Sequence, residues 1–106
     1  SDGERQVLCY LRTIINNPKI LIFDEATSKM DIKTEKMLQN LSKEMVKNKT
    51  LITIAHRLST IVNSDKIFFI KDKKIVEQGT HEQLMEQREN YYKLYMSQVE
   101  VGRYIT

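Results

Sequence analysis

Residues 20–23, Ile-Leu-Ile-Phe, form an unbroken apolar run that stops at two adjacent carboxylates, Asp24 and Glu25. Turn formers precede it at Asn16, Asn17 and Pro18. A short continuous run of this kind fits a strand buried on both faces, as in a parallel sheet. Two negative charges at the end of such a strand are costly unless a cation or a proton compensates them.

The flanking patterns predict what surrounds that strand. Val7, Leu8, Leu11, Ile14 and Ile15 share one helical face over 4–16, and Asn16, Asn17 and Pro18 stop that helix. Asp31 can cap a second helix over 32–47, with Met37, Leu38, Leu41 and Met45 inward. TLITIA, 50–55, reads as a second strand rich in β-branched residues. Helix, strand, helix, strand implies a right-handed crossover in an α/β sheet.

Past His56 the pattern changes. Residues 66–70 and 74–77 read as two strands joined by a tight turn at Asp72–Lys73, which lacks the glycine such turns prefer. Gly79–Thr80 opens a helix, with Thr80 and Gln83 in capping-box spacing. Leu84, Tyr91, Leu94 and Tyr95 carry it on, as two helices broken near Asn90. The tail VGRYIT, 101–106, shows no period and reads as a loose end.

Composition excludes several classes. The 106 residues are 41% hydrophobic, enough for a core, and no apolar run approaches the length of a membrane span. Seventeen basic against fourteen acidic residues leave +3, too mild to argue for nucleic acid. KDKK, 71–74, reads as a solvated turn. The single cysteine, Cys9, excludes an internal disulfide and fits a reducing compartment. No basic segment followed by an apolar one opens the chain, and SDGERQ reads like the inside of a sequence.

Ligands in open α/β sheets bind at the carboxyl ends of the strands. Asp24 and Glu25 end one strand and His56 follows the next, so neighbouring strands would bring all three to one sheet edge. Magnesium takes one or two carboxylates together with phosphate oxygens and water. A second carboxylate can orient or deprotonate a water, and a histidine can hydrogen-bond a phosphate oxygen as charge builds. These are parts of a phosphoryl-transfer site. Each piece alone has a plainer reading, as a cap, a solvated pair or a structural histidine; their order and spacing shift the balance.

SDGERQ, ILIFDEAT, SKMD, TIAHRLST and KIVEQGTHEQLM, in this order, resemble the C-terminal part of the nucleotide-binding domain of an ATP-binding cassette (ABC) transporter, exporter-type. The resemblance covers residues 1–98, with 99–106 as a tail. It implies a parallel-sheet P-loop NTPase fragment that lacks the P-loop strand and ends in a β-hairpin and helices. It further implies ATP and Mg2+ as cofactors. Asp24 would hold magnesium through water, and Glu25 and His56 would be the catalytic base and the phosphate-sensing histidine. Ser1, Gly3 and Gln6 match the signature loop that clamps ATP on the opposite cassette, and Ser28 and Asp31 match the D-loop. Ser1 and Glu4 are also in plain capping-box spacing.

By the same resemblance the partners are a second nucleotide-binding domain, a transmembrane domain and the missing N-terminal half, with no nucleic acid. The place is the cytoplasmic face of the cell membrane, and the activity is ATP hydrolysis coupled to transport, with export favoured. Asp2 departs from the family's usual glycine, and Lys29 and Met30 from its usual D-loop pair. A degenerate cassette that only binds a partner, and an ABC-type ATPase of DNA repair or translation, are the alternatives.

A nucleotide site of this class needs G-x-x-x-x-G-K-[ST]. The three glycines, Gly3, Gly79 and Gly102, cannot form it. The chain therefore reads as one piece of a longer or split domain, inactive alone. The resemblance places an absent strand between 50–55 and 66–70. Either those two strands pair directly, or a second copy fills the slot by exchange, which is the favoured expectation. The helix faces Val7–Ile15 and Leu84–Tyr95 are expected to lie partly bare.

Overall fold

The helix expected over 4–16 forms as α1, Asp2–Ile15. Asn17, at φ 52°, takes the left-handed conformation that ends helices, and Pro18 prevents continuation. The apolar run follows as β1, Ile20–Asp24, and TLITI forms β2, Thr50–Ile54. In this computed structural model residues 2–24, 33, 36–37, 40 and 47–105 are described. Most of the second expected helix, with Leu38, Leu41 and Met45, lies outside them; Lys33, Lys36, Met37 and Asn40 are helical.

β1 and β2 pair in parallel, with Ile20 opposite Thr50 and Asp24 opposite Ile54. Thr50 donates its N–H to the Lys19 carbonyl at 2.9 Å, and the Lys49 ammonium reaches the Asn17 side-chain oxygen. Tyr10 of α1 meets Phe23 edge-on, with ring centroids 6.2 Å apart. Desolvation there raises the Tyr10 phenol above its ordinary pKa.

Burial on both faces of β1 is not observed. Leu21 is buried, whereas Ile20 and Ile22 are 60% and 69% exposed. Alternate residues of a strand point to opposite faces. Leu21 and Phe23 share the side that α1 covers, and Ile20 and Ile22 share the open one. On α1 itself, Leu8, Leu11 and Ile15 are exposed, so that face is bare as expected.

The chain divides after His56 into two compact units, 1–56 and 57–106. The second opens with a short 3-10 turn, Leu58–Thr60. An antiparallel hairpin follows, β3 Ile67–Lys71 and β4 Lys74–Gly79. Asp72 and Lys73 both take positive φ, 52° and 64°, as a two-residue turn of the primed type requires, without any glycine. A bulge at Phe69/Ile70 shifts the register.

Two helices complete the unit, α2 His81–Gln87 and α3 Asn90–Ile105. Arg88, at φ 53°, makes the break expected near Asn90. The tail is not loose: α3 runs on through residues 99–105. Leu58, Ile67, Leu84 and Tyr91 form a buried core, lined by Ile61, Phe69, Met85 and Tyr95. Of the face from Leu84 to Tyr95, Leu84 and Tyr91 are buried and Tyr95 packs against them, because the hairpin and the 3-10 turn supply partners, while Leu94 stays 40% exposed.

The α/β class with a parallel pair and a C-terminal hairpin agrees with expectation. Direct pairing of 66–70 with 50–55 does not occur. Among the described residues β2 pairs with β1 and β3 with β4, as separate two-stranded sheets.

Candidate functional site

Parallel pairing fixes the polarity of the first sheet. With Asp24 opposite Ile54, the carboxyl ends of β1 and β2 lie at one edge. Asp24 is the last residue of β1 and is half-buried. His56 lies two residues beyond Ile54, in a bend, and is exposed. The strand arrangement thus brings Asp24 and the segment carrying His56 to the same end of the pair.

Gly3 and Gln6 lie in α1, near its start. Glu25, Ser28, Asp31 and Ser1 lie outside the described residues. Among the described residues no group of three or more His, Cys, Asp or Glu side chains could hold a metal. Asp24 is a carboxylate, a donor type that magnesium takes beside phosphate oxygens and water.

The chain leaving His56 is held closely. Thr60 donates to the Arg57 carbonyl from both its backbone N–H, at 3.2 Å, and its hydroxyl, at 2.8 Å. Ile61 N–H reaches the Leu58 carbonyl at 3.0 Å. The Leu58 N–H, first of the 3-10 turn, donates to Oε1 of Gln98 on α3 at 2.9 Å.

Further along, Glu77 is 4% exposed and accepts the Tyr91 N–H. The Tyr91 hydroxyl and His81 Nδ1 lie 2.8 Å apart, with His81 edge-on to Tyr91 and Tyr95. Burial, then the neighbouring Tyr95 and Glu82, raise the Tyr91 phenol above its ordinary pKa.

The sequence pattern singles out neither Gln98 nor Glu77. A signal for Glu77 exists, since it falls on the inward register opposite Phe69. For Gln98 the signal is its helical spacing from Tyr91 and Tyr95, at i+7 and i+3, on the packed face.

No protein-family model matches the sequence. Individual relatives do. The chain is 49% identical over 98 residues to the multidrug resistance-like ATP-binding protein MdlB of Buchnera aphidicola, covering 92% of this chain and 17% of that protein. It is 47% identical over 92 residues to the alpha-hemolysin translocation ATP-binding protein HlyB of Escherichia coli, covering 87% of this chain and 13% of that one. Among solved structures, a bacterial Atm1-family ABC exporter with ATP bound superposes with a TM-score of 0.74 at 39% identity, over 82% of this chain and 15% of that one. The chain thus spans less than a fifth of the length of these relatives.

Proposed function

We infer the function of a chain that is, over 92% of its length, a homologue of ATP-binding cassette exporters: residues 1–98 are the C-terminal part of the nucleotide-binding domain of a transport ATPase. The complete protein hydrolyses ATP and couples it to transport across a membrane, in the direction of export. The observation that supports this most is the parallel register Asp24 opposite Ile54, which sets Asp24 and the His56 segment at one sheet edge.

The roles follow from chemistry. Asp24 would hold Mg2+ through water, and the metal would supply charge neutralisation at the phosphates. Glu25, one residue on, takes the proton of the attacking water or orients it. His56 donates a hydrogen bond to the terminal phosphate as its charge grows. Ser1, Gly3 and Gln6 act as the signature that clamps the ATP of a second cassette, since a hydroxyl, a glycine backbone and helix N–H groups suit an anion. Ser28 and Asp31 contact that second cassette.

The partners are a second nucleotide-binding domain, a transmembrane domain and the remaining N-terminal portion of the same domain. The site works at the cytoplasmic membrane face. The 106 residues alone lack a glycine-rich phosphate loop and do not turn over ATP.

In the complete protein, Glu25→Gln is expected to stop hydrolysis and leave ATP binding intact, and His56→Ala to slow turnover strongly. Near-normal steady-state hydrolysis by Glu25→Gln would overturn the assignment. Asp2 favours a second reading, a cassette with a weakened signature that acts as a binding module, since a carboxylate there repels phosphate.

A further inference from the structure

We propose that Tyr10 is a positioning residue: its ring contact with Phe23 ties α1, which carries Gly3 and Gln6, to the strand that ends in Asp24. The proposal rests on the reading of Asp24 as the magnesium carboxylate and of Gly3 and Gln6 as signature residues.

The contact shows how α1 and β1 run. α1 ends at Ile15 and β1 begins at Ile20, with residues 16–19 between them. In that turn Asn17 holds φ 52°, and the Pro18 ring fixes its own φ. Back from Ile15 to Tyr10 the helix spans about 7.5 Å, and on from Ile20 to Phe23 the strand spans about 10 Å. Were helix and strand to continue in one direction, the two rings would lie far apart. Their centroids are 6.2 Å apart, with the planes at 87°, so β1 runs back alongside α1. The same arithmetic takes Gly3 about 18 Å back from Ile15 and Asp24 about 13 Å on from Ile20. The start of α1 and the carboxylate end of β1 therefore lie toward one end of the first unit.

Alternation along β1 puts Leu21 and Phe23 on the side that α1 covers. Leu21 is buried there, nearer the turn, and Phe23 is the residue next to Asp24. Desolvation raises the Tyr10 phenol, so the contact excludes water. An edge-on aromatic pair also has a preferred geometry, which a purely aliphatic contact lacks. Pairing with Ile54 holds Asp24 along the sheet, and Tyr10 holds the end of β1 against α1. In a two-fold pair of cassettes, Asp24 serves one ATP while the signature of the same chain serves the other. Both sites close together only if the spacing between the two within one chain is fixed. Tyr10 touches no reacting group; it acts through Phe23 and the α1 backbone.

Two substitutions separate positioning from bulk. Tyr10→Phe keeps the ring and its edge, and Tyr10→Leu keeps an apolar side chain without them. In the complete subunit, Tyr10→Leu is expected to lower kcat for ATP hydrolysis about three- to tenfold, the scale of one aromatic pair, with KM for ATP unchanged. With neither nucleotide nor metal present, it is also expected to speed hydrogen exchange at residues 20–24. Tyr10→Phe is expected to match the wild type in both readouts. Should Tyr10→Leu fail to fold, Tyr10→Met carries the same expectations.

In a Phe23→Leu background, Tyr10→Leu is expected to add no further loss in kcat, because both remove one contact. Wild-type kcat in Tyr10→Leu, a loss in Tyr10→Phe, or a further loss in the Phe23→Leu background overturns the positioning role. So does unchanged exchange at 20–24, which reports the Tyr10–Phe23 contact without any chemistry. Undiminished hydrolysis by Asp24→Asn overturns the reading of Asp24, and this role with it.

Discussion

Both carboxylate oxygens of Glu77 lie within reach of the Tyr91 N–H, at 3.3 and 3.4 Å, at the point where α3 begins. An anion there meets unsatisfied helix amides and the positive end of the helix dipole. Strand β4 thereby caps a helix that starts eleven residues after it ends. Glu77→Leu is expected to destabilise the chain by about 2–3 kcal/mol, the scale of a lost charge-assisted bond with its donor left buried. Glu77→Gln, which keeps one acceptor, is expected to cost less. Urea titrations of the two variants compare them directly.

Gly79 and the capping box form one device. Thr80 accepts the Gln83 N–H at 3.2 Å while Gln83 accepts the Thr80 N–H at 3.0 Å. Gly79 sits at φ +153°, and a Cβ there would lie 2.8 Å from Gln83 Oε1. Gly79→Ala is expected to cost about 1–3 kcal/mol, from strain and displacement of that side chain. Thr80→Ala is expected to cost about 1 kcal/mol. Since both disable the same cap, the double variant should lose less than the two losses added, as a double-mutant cycle would read.

At the hairpin turn the gain runs the other way. Asp72 and Lys73 hold left-handed backbone that glycine adopts without penalty. Lys73→Gly is expected to stabilise the chain by about 1 kcal/mol, with the hairpin register unchanged. A lower melting temperature for this variant would contradict the turn geometry.

The Tyr91 phenol gives a pH dependence with a defined sign. Its folded pKa is raised above 10.0, chiefly by desolvation. The unfolded chain therefore ionises first as pH rises. The stabilisation is fully present below about pH 10 and is lost as pH climbs through the folded value. Tyr91→Phe should show a shallower alkaline loss of stability, and lower stability at neutral pH because the bond to His81 is gone. Denaturation curves between pH 8 and 11 check both parts.

On the proposed signature reading, Asp2→Gly in the complete protein is expected to strengthen ATP-dependent pairing of two cassettes, since it would remove a like charge beside phosphate. Unchanged or weaker ATP-driven dimerisation, measured by sedimentation, would count against Ser1, Gly3 and Gln6 as a signature.

What the sequence revealed depends on the range of the interaction. Asn17–Pro18, the Asp72–Lys73 turn and the Thr80/Gln83 box are local signals, and each appears in the structure. The two strands followed from apolar runs; their adjacency stood as a condition, which the parallel pairing meets. Burial was misread at Ile20 and Ile22, because a continuous apolar run does not say how many faces its neighbours cover. VGRYIT reads as aperiodic because Gly102 and Arg103 interrupt its apolar residues, yet a helix once started adds residues at little cost, and it runs to Ile105. The Gln98–Leu58 and Glu77–Tyr91 contacts span 40 and 14 residues, and no local pattern encodes them. At the candidate site, Asp24 and His56 were readable as strand-end residues; what Glu25 does rests on chemistry and resemblance.

The open face of the β1–β2 pair has a consequence for how the chain is made. ILIF and TLITI are short, β-prone and uncharged, the composition that seeds intermolecular strands on a ribosome or in a concentrated lysate. Each is fenced by charge: Lys19 before the first and Asp24 after it, Lys49 before the second. Charges in such flanking positions act as gatekeepers against aggregation. Asp24 then has a duty as a flanking charge that is separate from its proposed role at a nucleotide. Replacing it by an apolar residue would lengthen the sticky run and lower soluble yield, a loss that an assay of hydrolysis alone would mistake for a defect in chemistry.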